Sequence, residues 1–203
     1  MNSKKICVVL SGCGVYDGAE IHEATLTLLF LDKRNVEVIC AAPDIFQYHV
    51  INHLNGEEEK EDKRNVLKEA ARITRGNIKS LKEINSNDID GLIFPGGFGV
   101  AKNLCDYAIK GKDFTVNEDV EKIIKEMHKN KKPIGFICIA PVLAAKVLGE
   151  YAPSLTIGND ADTAKVIENF GGKHVIRKVD EIEYDEKNKI VSTPASVSYT
   201  HLT

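Results

Sequence analysis

The chain has 203 residues and a mass of 22.4 kDa, which is the size of one domain. Its 27 Lys plus Arg and 30 Asp plus Glu give a formal net charge of −3, which argues against a protein that binds duplex nucleic acid through its phosphates. A hydrophobic fraction of 43% and a charged fraction of 28% are typical of a soluble globular protein and exclude wholesale disorder.

Strands and helices are predicted in alternation along the chain. The near-continuous apolar run 5–11 is typical of a strand buried on both faces, and the apolar residues of 117–129 have the spacing of one buried helix face. Asp17 is expected to cap a helix that begins near Ala19. In chain order we predict strand 5–11, helix 19–35, strand 36–41, helix 65–74, strand 90–94, helix 117–129, strand 133–137, a helix to 148, strand 155–158, helix 160–170, and paired strands 182–184 and 190–193.

This alternation predicts an open α/β sheet, mostly parallel, with helices on both faces. Ligands of such sheets bind beyond the carboxyl ends of the strands. Three glycine-marked loops, 11–18, 95–99 and 135–141, lie at such ends. We therefore expect these loops to converge on one crevice.

Cys138 is the first candidate for chemistry in that crevice. It stands where an apolar strand runs into a helix, as the nucleophile does on the elbow of α/β hydrolases, and a helix N-terminus favours a thiolate. A buried cysteine that completes the strand gives the same pattern, so the pattern alone leaves both interpretations open.

Glu20 and Glu23 are the next candidates, because they lie three residues apart at the start of the first helix. A carboxyl group beside a thiol can orient it and move protons, although acids in a first helical turn also simply suit the helix dipole. Backbone N–H groups at Gly97 and Ile139 are expected to hold a developing oxyanion. Glu20 and His53 are assigned to substrate binding.

Two cofactor sites have little support. The glycines of the first loop depart from the G-x-G-x-x-G spacing of dinucleotide sites, and no acid closes the second strand. The six histidines show no ligand spacing that indicates a metal site. We therefore expect neither a cofactor nor a metal.

The cysteines bear on the compartment. Their number, five, is odd and no two form a C-x-x-C pair, so a disulfide framework is not expected and a reducing cytoplasm is predicted. The first apolar run is too short for the core of a signal peptide, and no stretch approaches the length of a membrane span.

The long motifs of the chain resemble those of the ElbB-like branch, glyoxalase-like and linked to isoprenoid biosynthesis, of the PfpI-type, class I glutamine amidotransferase-like superfamily. The resemblance spans residues 5–195. The matching residues are Ser11-Gly-Cys-Gly-Val-Tyr-Asp-Gly-Ala-Glu-Ile-His-Glu23, Val50-Ile-Asn-His-Leu-Asn-Gly56, Arg64-Asn-Val66, Glu69-Ala-Ala-Arg-Ile73, Pro95-Gly-Gly-Phe-Gly99, Lys102-Asn-Leu104 and Gly135-Phe-Ile-Cys-Ile-Ala-Pro141.

The resemblance implies a flavodoxin-like three-layer sandwich, a reactive Cys138, a partner carboxyl at Glu23 and a homodimer. It also implies a cofactor-independent glyoxalase that converts glyoxal to glycolate, with a small dicarbonyl as its substrate and neither nucleic acid nor membrane as a partner. The alternatives are a redox-sensing or binding module, or a glycation-repair deglycase, that uses the same cysteine.

Two departures from the superfamily pattern qualify this interpretation. Ile139 stands where protease-like members have His after the cysteine, and no later His has the Pro and Glu context of amidotransferases, so a Cys–His hydrolase is disfavoured. Residues 1–195 are predicted to form a single domain. Residues 196–203 do not resemble the closing helix of the family and are predicted to be a non-native or truncated tail that packs poorly.

Overall fold

The computed structural model of the protein describes residues 3–195. The predicted tail 196–203 lies outside the described residues. The strands are β1 (Lys5–Val9), β2 (Glu37–Ala42), β3 (Lys79–Ser80), β4 (Gly91–Phe94), β5 (Ile134–Ile137), β6 (Ser154–Leu155), β7 (Lys173–His174), β8 (Glu183–Asp185) and β9 (Ile190–Thr193). The helices are α1 (Ile21–Lys33), α2 (Val66–Thr74), α3 (Tyr107–Lys110), α4 (Glu118–Lys129), α5 (Pro141–Leu148) and α6 (Ala161–Asn169).

A seven-stranded sheet with the order β3-β2-β1-β4-β5-β9-β8 forms the centre of the fold. Its strands pair in parallel except β8 and β9, which form an antiparallel edge. The chain moves outward from β1 to β2 and β3 and then returns to place β4 on the other side of β1. This reversal of direction is the switch point of the sheet, where ligands of open α/β sheets bind.

The alternating residues of β1 pack against different helices on the two faces of the sheet. Val8 and Leu10 belong to a core that includes residues of α1 and α2, whereas Cys7 and Val9 belong to the core formed with α4 and α5. The Phe94 and Phe136 rings stack across β4 and β5 with centroids 5.3 Å apart. The mostly parallel flavodoxin-like sheet covered by helices on both faces is therefore confirmed.

The first helix begins later than the sequence predicts and uses another cap. Its N-cap is Glu20, whose side chain accepts a hydrogen bond from the Glu23 N–H. Asp17, the predicted cap, is buried and its Oδ2 instead accepts a hydrogen bond from the Ile51 N–H at 2.7 Å. Because this bond uses the carboxylate of Asp17, the prediction of Asp17 as the cap was wrong.

The segment between β4 and α4 holds structure that the periodicity does not predict. Val100–Leu104 forms a π-helical turn and α3 follows it directly. In the described residues 3–195, no helix is both long enough and apolar enough to cross a membrane.

Candidate active site

Cys138 lies on a sharp turn at the carboxyl end of β5. Its φ is 62°, in the left-handed region that non-glycine residues rarely adopt. The Cys138 N–H donates a hydrogen bond to the Thr193 carbonyl at 2.9 Å, and α5 begins three residues later at Pro141. Such a strained strand-to-helix turn costs of order 1–3 kcal/mol and is found mainly at functional sites, where it projects a side chain from the sheet edge.

Gly96 brings Glu23 next to Cys138. The Gly96 N–H donates a hydrogen bond to Glu23 Oε2 at 2.8 Å. A Cβ atom added at Gly96 would lie 2.4 Å from Cys138 Cβ and 2.6 Å from Glu23 Oε2, distances that no side chain can occupy. The thiol-bearing residue and the carboxylate therefore flank the same glycine, and residues from α1, the loop after β4 and the turn after β5 meet there.

Glu23 is half-buried. Glu20, beside it, is nine-tenths buried. Glu20 accepts hydrogen bonds from the Glu23 N–H at 2.6 Å and from His22 Nδ1 at 2.7 Å. The hydrogen bond and charge of Glu20 raise the pKa of His22 above its ordinary value, which favours the imidazolium there.

Gly97 and Ile139 contribute backbone to the same cleft as Cys138. Gly97 has a φ of 101°, and a Cβ at this position would lie 2.4 Å from both the Glu20 nitrogen and the Gly18 carbonyl oxygen. Among residues 3–195, neither the Gly97 N–H nor the Ile139 N–H has a hydrogen-bond acceptor. Two N–H groups without an acceptor in a cleft that also holds a thiol are the kind of donors that an oxyanion hole requires.

The cleft in front of Cys138, called here the Cys138 cleft, has a volume of about 610 Å³. Cys138, Ile139, Gly97 and Glu20 form its near wall. Phe98, Tyr107, Asp160 and Thr163 stand among the remaining lining residues, which are mostly apolar. The three predicted glycine-marked loops thus meet in one crevice at the carboxyl ends of the strands.

His53 is placed elsewhere. In the described part of the chain it lines a separate groove with Asn52, Arg64 and their neighbours, and it is absent from the lining of the Cys138 cleft. Its Nε2 accepts a hydrogen bond from the Tyr16 N–H at 3.2 Å, and its Nδ1 lies 3.0 Å from the Ile51 carbonyl oxygen. The imidazole therefore supports the loop 11–18 through Tyr16, and it lies outside the lining of the cleft that contains Cys138.

Asn103 holds the same loop from its other side, a role that sequence patterns did not single out. Its Nδ2 donates hydrogen bonds to the carbonyls of Ser11 and Asp17, each at 2.9 Å, and its Oδ1 accepts one from the Tyr48 N–H at 2.9 Å. Asn103 is buried, so these three bonds satisfy a polar group that would otherwise be costly to enclose. The family resemblance includes Asn103 in the motif Lys102-Asn-Leu104 but assigns it no role.

The remaining cysteines differ from Cys138 in their surroundings. Burial raises the pKa of Cys7 and of Cys105 to about 12 and that of Cys40 to about 11. Burial also raises the pKa of the half-buried Cys13, with the Glu69 charge adding to the shift. Within residues 3–195, no group of three or more Cys, His, Asp or Glu side chains is arranged to hold a metal ion.

Comparisons with known proteins identify the family. The model of the DJ-1/PfpI family matches residues 5–177. The chain belongs to the DJ-1/PfpI family. Over 207 residues it is 48% identical to the ES1 protein homolog, mitochondrial, of Rattus norvegicus, a match that covers 98% of this chain and 77% of that protein. It is also 48% identical to the glutamine amidotransferase-like class 1 domain-containing protein 3, mitochondrial, of Homo sapiens, over 98% of this chain and 76% of that protein.

A solved structure within the DJ-1/PfpI fold supports the same assignment. The crystal structure of an isoprenoid biosynthesis protein with an amidotransferase-like domain from Ehrlichia chaffeensis superposes with a TM-score of 0.89 at 35% sequence identity, covering 98% of this chain and 91% of that one. The predicted resemblance to the isoprenoid-biosynthesis branch of the amidotransferase-like superfamily is therefore confirmed.

The predicted cytoplasmic location is contradicted by these relatives. The rat and human proteins, which cover nearly all of this chain, are both named as mitochondrial. The prediction was wrong because reduced cysteines indicate a reducing environment and do not by themselves specify a compartment.

Proposed function

We propose that this DJ-1/PfpI protein is a cofactor-independent glyoxalase that converts small dicarbonyls, such as glyoxal to glycolate, with Cys138 as nucleophile and Glu23 as proton carrier. The observation that carries the proposal is the position of Gly96 between Cys138 Cβ and Glu23 Oε2. A thiol and a carboxyl group that flank one glycine in a mostly apolar cleft are suited to covalent catalysis with proton transfer.

The reaction begins when the Cys138 thiolate adds to one aldehyde carbon of glyoxal, forming a C–S bond and a hemithioacetal. Glu23 removes the proton from that carbon and returns a proton to the neighbouring carbon. The first carbon is oxidised to a thioester and the second is reduced to a hydroxymethyl group, so no external electron acceptor is needed. Water then cleaves the C–S bond, which releases glycolate and restores the thiol.

The N–H groups of Gly97 and Ile139 would donate hydrogen bonds to the alkoxide that forms when the thiolate adds. Because neither N–H has an acceptor within the described residues, they are available without breaking an existing bond. Donors held in place by the backbone need no reorganisation during the reaction, and one such donor contributes about 10²–10³-fold to a rate.

The test measures glycolate formed from glyoxal by the purified protein without glutathione. Run in deuterium oxide, a proton transfer through Glu23 places deuterium on the hydroxymethyl carbon of glycolate, whereas a direct hydride shift leaves that carbon unlabelled. We expect many turnovers per protein and a labelled product. Glyoxal consumption that stops at one equivalent per protein would contradict catalysis and favour the redox-sensing or binding alternative.

Cys138→Ser and Cys13→Ser form a matched pair for this assay. Cys13 is a half-buried thiol in the loop 11–18 that does not line the Cys138 cleft. We expect Cys138→Ser to abolish turnover and Cys13→Ser to leave it within a few-fold of the parent protein.

A second candidate is action on larger dicarbonyl adducts, as in a deglycase. It is favoured by the size of the Cys138 cleft, since about 610 Å³ falls within the range of sites for drug-sized ligands and far exceeds what glyoxal fills. The same Cys138 chemistry would serve both substrates.

A further inference from the structure

The Cys138 cleft carries negative charge and lacks its own cations. Glu20 and Asp160 both line it, and within the described part of the chain no Lys, Arg or His does. The two N–H donors of the cleft, at Gly97 and Ile139, are assigned to the alkoxide at Cys138, and no cationic side chain lines the cleft to bind a phosphate or carboxylate elsewhere on a substrate. The lining therefore disfavours anionic substrates.

Two cationic side chains next to lining residues, His22 and Lys102, already have partners. His22 contacts Glu20, with Nδ1 2.7 Å from Oε1. Lys102 Nζ donates a hydrogen bond to the Tyr16 carbonyl at 2.9 Å and lies 5.6 Å from the centre of the Phe98 ring. Asp160, in contrast, is exposed and forms no ion pair among residues 3–195, although its charge acts on His174 and opposes the lowering of the His174 pKa by burial.

Asp160 lines the same cleft as Cys138, and its side chain is held in place by neighbouring residues. It caps α6, and its Oδ2 accepts hydrogen bonds from the backbone N–H and the hydroxyl of Thr163. The Thr163 hydroxyl in turn lies 3.4 Å from the Tyr107 hydroxyl. Tyr107 also packs edge-on against Phe114 with ring centroids 5.3 Å apart, which holds its ring at the cleft.

A carboxylate beside aromatic rings is the arrangement that binds ammonium and guanidinium groups, because the ring faces and the carboxylate both attract positive charge. The Tyr107 ring and the Asp160 carboxylate line one cleft with Cys138, and Thr163 contacts both of them. An occupant that reaches from Cys138 to Asp160 must also cross mostly apolar walls.

We infer that the Cys138 cleft contains a cation subsite formed by Asp160 and Tyr107, and that the preferred substrate is a carbonyl compound with an apolar body and an ammonium or guanidinium group. The inference rests on the proposed function for the chemistry at Cys138, and it adds the charge and shape of the substrate. It also disfavours anionic adducts such as the hemithioacetal of glutathione.

The test uses thiol reagents of opposite charge with a small neutral reagent as the reference for access to the thiol, so that it does not depend on turnover. Cys138 is modified with the trimethylammonioethyl, the neutral methyl and the sulfonatoethyl methanethiosulfonates at low ionic strength. In each case the thiolate attacks the reagent's sulfenyl sulfur, a mixed disulfide forms and methanesulfinate leaves. Rates at Cys138 are followed by mass spectrometry of its peptide and divided by the rates for 2-mercaptoethanol.

In the parent protein we expect the normalised rate of the cationic reagent to exceed that of the anionic reagent at least about three-fold, and to decline toward it as salt is added. Asp160→Asn keeps the helix cap and removes the charge, so the preference should fall by at least about three-fold. Asp162→Asn is the matched control, because Asp162 lies two residues away, is 94% exposed and does not line the cleft.

The cation subsite would be overturned if the cationic and anionic reagents had equal normalised rates in the parent protein. It would also be overturned if Asp160→Asn and Asp162→Asn changed the ratio of these rates equally. Charge preference with no glyoxal turnover would overturn only the proposed glyoxalase. Failure of all three reagents to modify Cys138 would overturn both, since a substrate could not then reach the thiol.

Discussion

Replacing Glu23 by Gln tests the proposed proton carrier with a minimal change of shape. The Gln side chain keeps an oxygen that can accept the hydrogen bond from the Gly96 N–H, which is 2.8 Å long in the parent protein. It cannot accept or release a proton at neutral pH. The tie between α1 and the loop after β4 is therefore retained while the proton transfer is lost.

The effects of Glu23→Gln on the rate of turnover and on the free energy of unfolding are expected to differ in size. Loss of a positioned general acid–base lowers a rate by about 10²–10⁴-fold, so kcat of Glu23→Gln should fall by this amount. Its unfolding free energy should change by less than about 1 kcal/mol, since the hydrogen bond to Gly96 remains. Glu23→Ala should lose activity and also about 1–3 kcal/mol of stability, because it leaves the N–H of the buried Gly96 without an acceptor.

Three measurements on both variants check this reasoning: glycolate production, urea unfolding and the rate of Cys138 alkylation by iodoacetamide. We expect Glu23→Gln to keep alkylation within a few-fold of the parent, because an amide can still donate a hydrogen bond to the thiolate. If Glu23→Gln retains full turnover, Glu20 or a bound water carries the proton and the mechanism proposed for Glu23 is wrong.

Three further predictions follow from other parts of the molecule. Asn103→Ala removes three buried hydrogen bonds and should lower the unfolding free energy by about 2–4 kcal/mol in urea titrations, and a loss below 1 kcal/mol would contradict its role as a clamp. Because burial raises the pKa of Cys7 and Cys105 to about 12, peptide mapping should find both unalkylated by iodoacetamide in the native protein at pH 8. The stability gained by keeping them protonated is present below pH 9.0 and is lost as the pH rises from there through about 12. The homodimer implied by the resemblance is proposed to use the exposed apolar face of α1 that carries Leu26 and Leu29, so Leu29→Glu should give a monomer in light scattering while the parent is a dimer.

Capping residues and the spacing of apolar residues predicted those helices and strands whose ends are determined by residues close in the sequence. The helix predicted for 117–129 is found at Glu118–Lys129, because Asn117 caps it and its apolar residues all face the core. Asp17 shows the limit of such signals. Its carboxylate has the right type and place for a cap, but it accepts a hydrogen bond from Ile51, which is 34 residues away.

The residues of the predicted crevice also divide into those that the sequence could place and those that it could not. Cys138, Gly97 and Glu23 were predicted to converge because strand ends of a parallel sheet share one edge, and the structure brings them together at Gly96. His53 does not follow a strand of the sheet, so the sequence pattern could not predict whether its side chain lines the Cys138 cleft or another groove. Asp160 was overlooked as a lining residue, although it follows the short strand β6 and opens a helix as the other candidates do.

The two walls of the Cys138 cleft are built by different kinds of contact. The near wall depends on backbone, since Gly96 and Gly97 approach their neighbours so closely that no side chain fits. The left-handed turn at Cys138 is likewise held by its hydrogen bond to the Thr193 carbonyl. Such a wall tolerates few substitutions, because each one shifts the backbone that positions the nucleophile.

The far wall, in contrast, consists of side chains on the short helix α3 and the first turn of α6, and the neighbouring Ala108 is exposed. Substitutions there change the shape and charge that a substrate meets without moving the nucleophile. With Cys138 as the proposed nucleophile, the proposed chemistry depends on backbone contacts at the switch point of the sheet, whereas the proposed choice of substrate depends on side chains such as Tyr107 and Asp160.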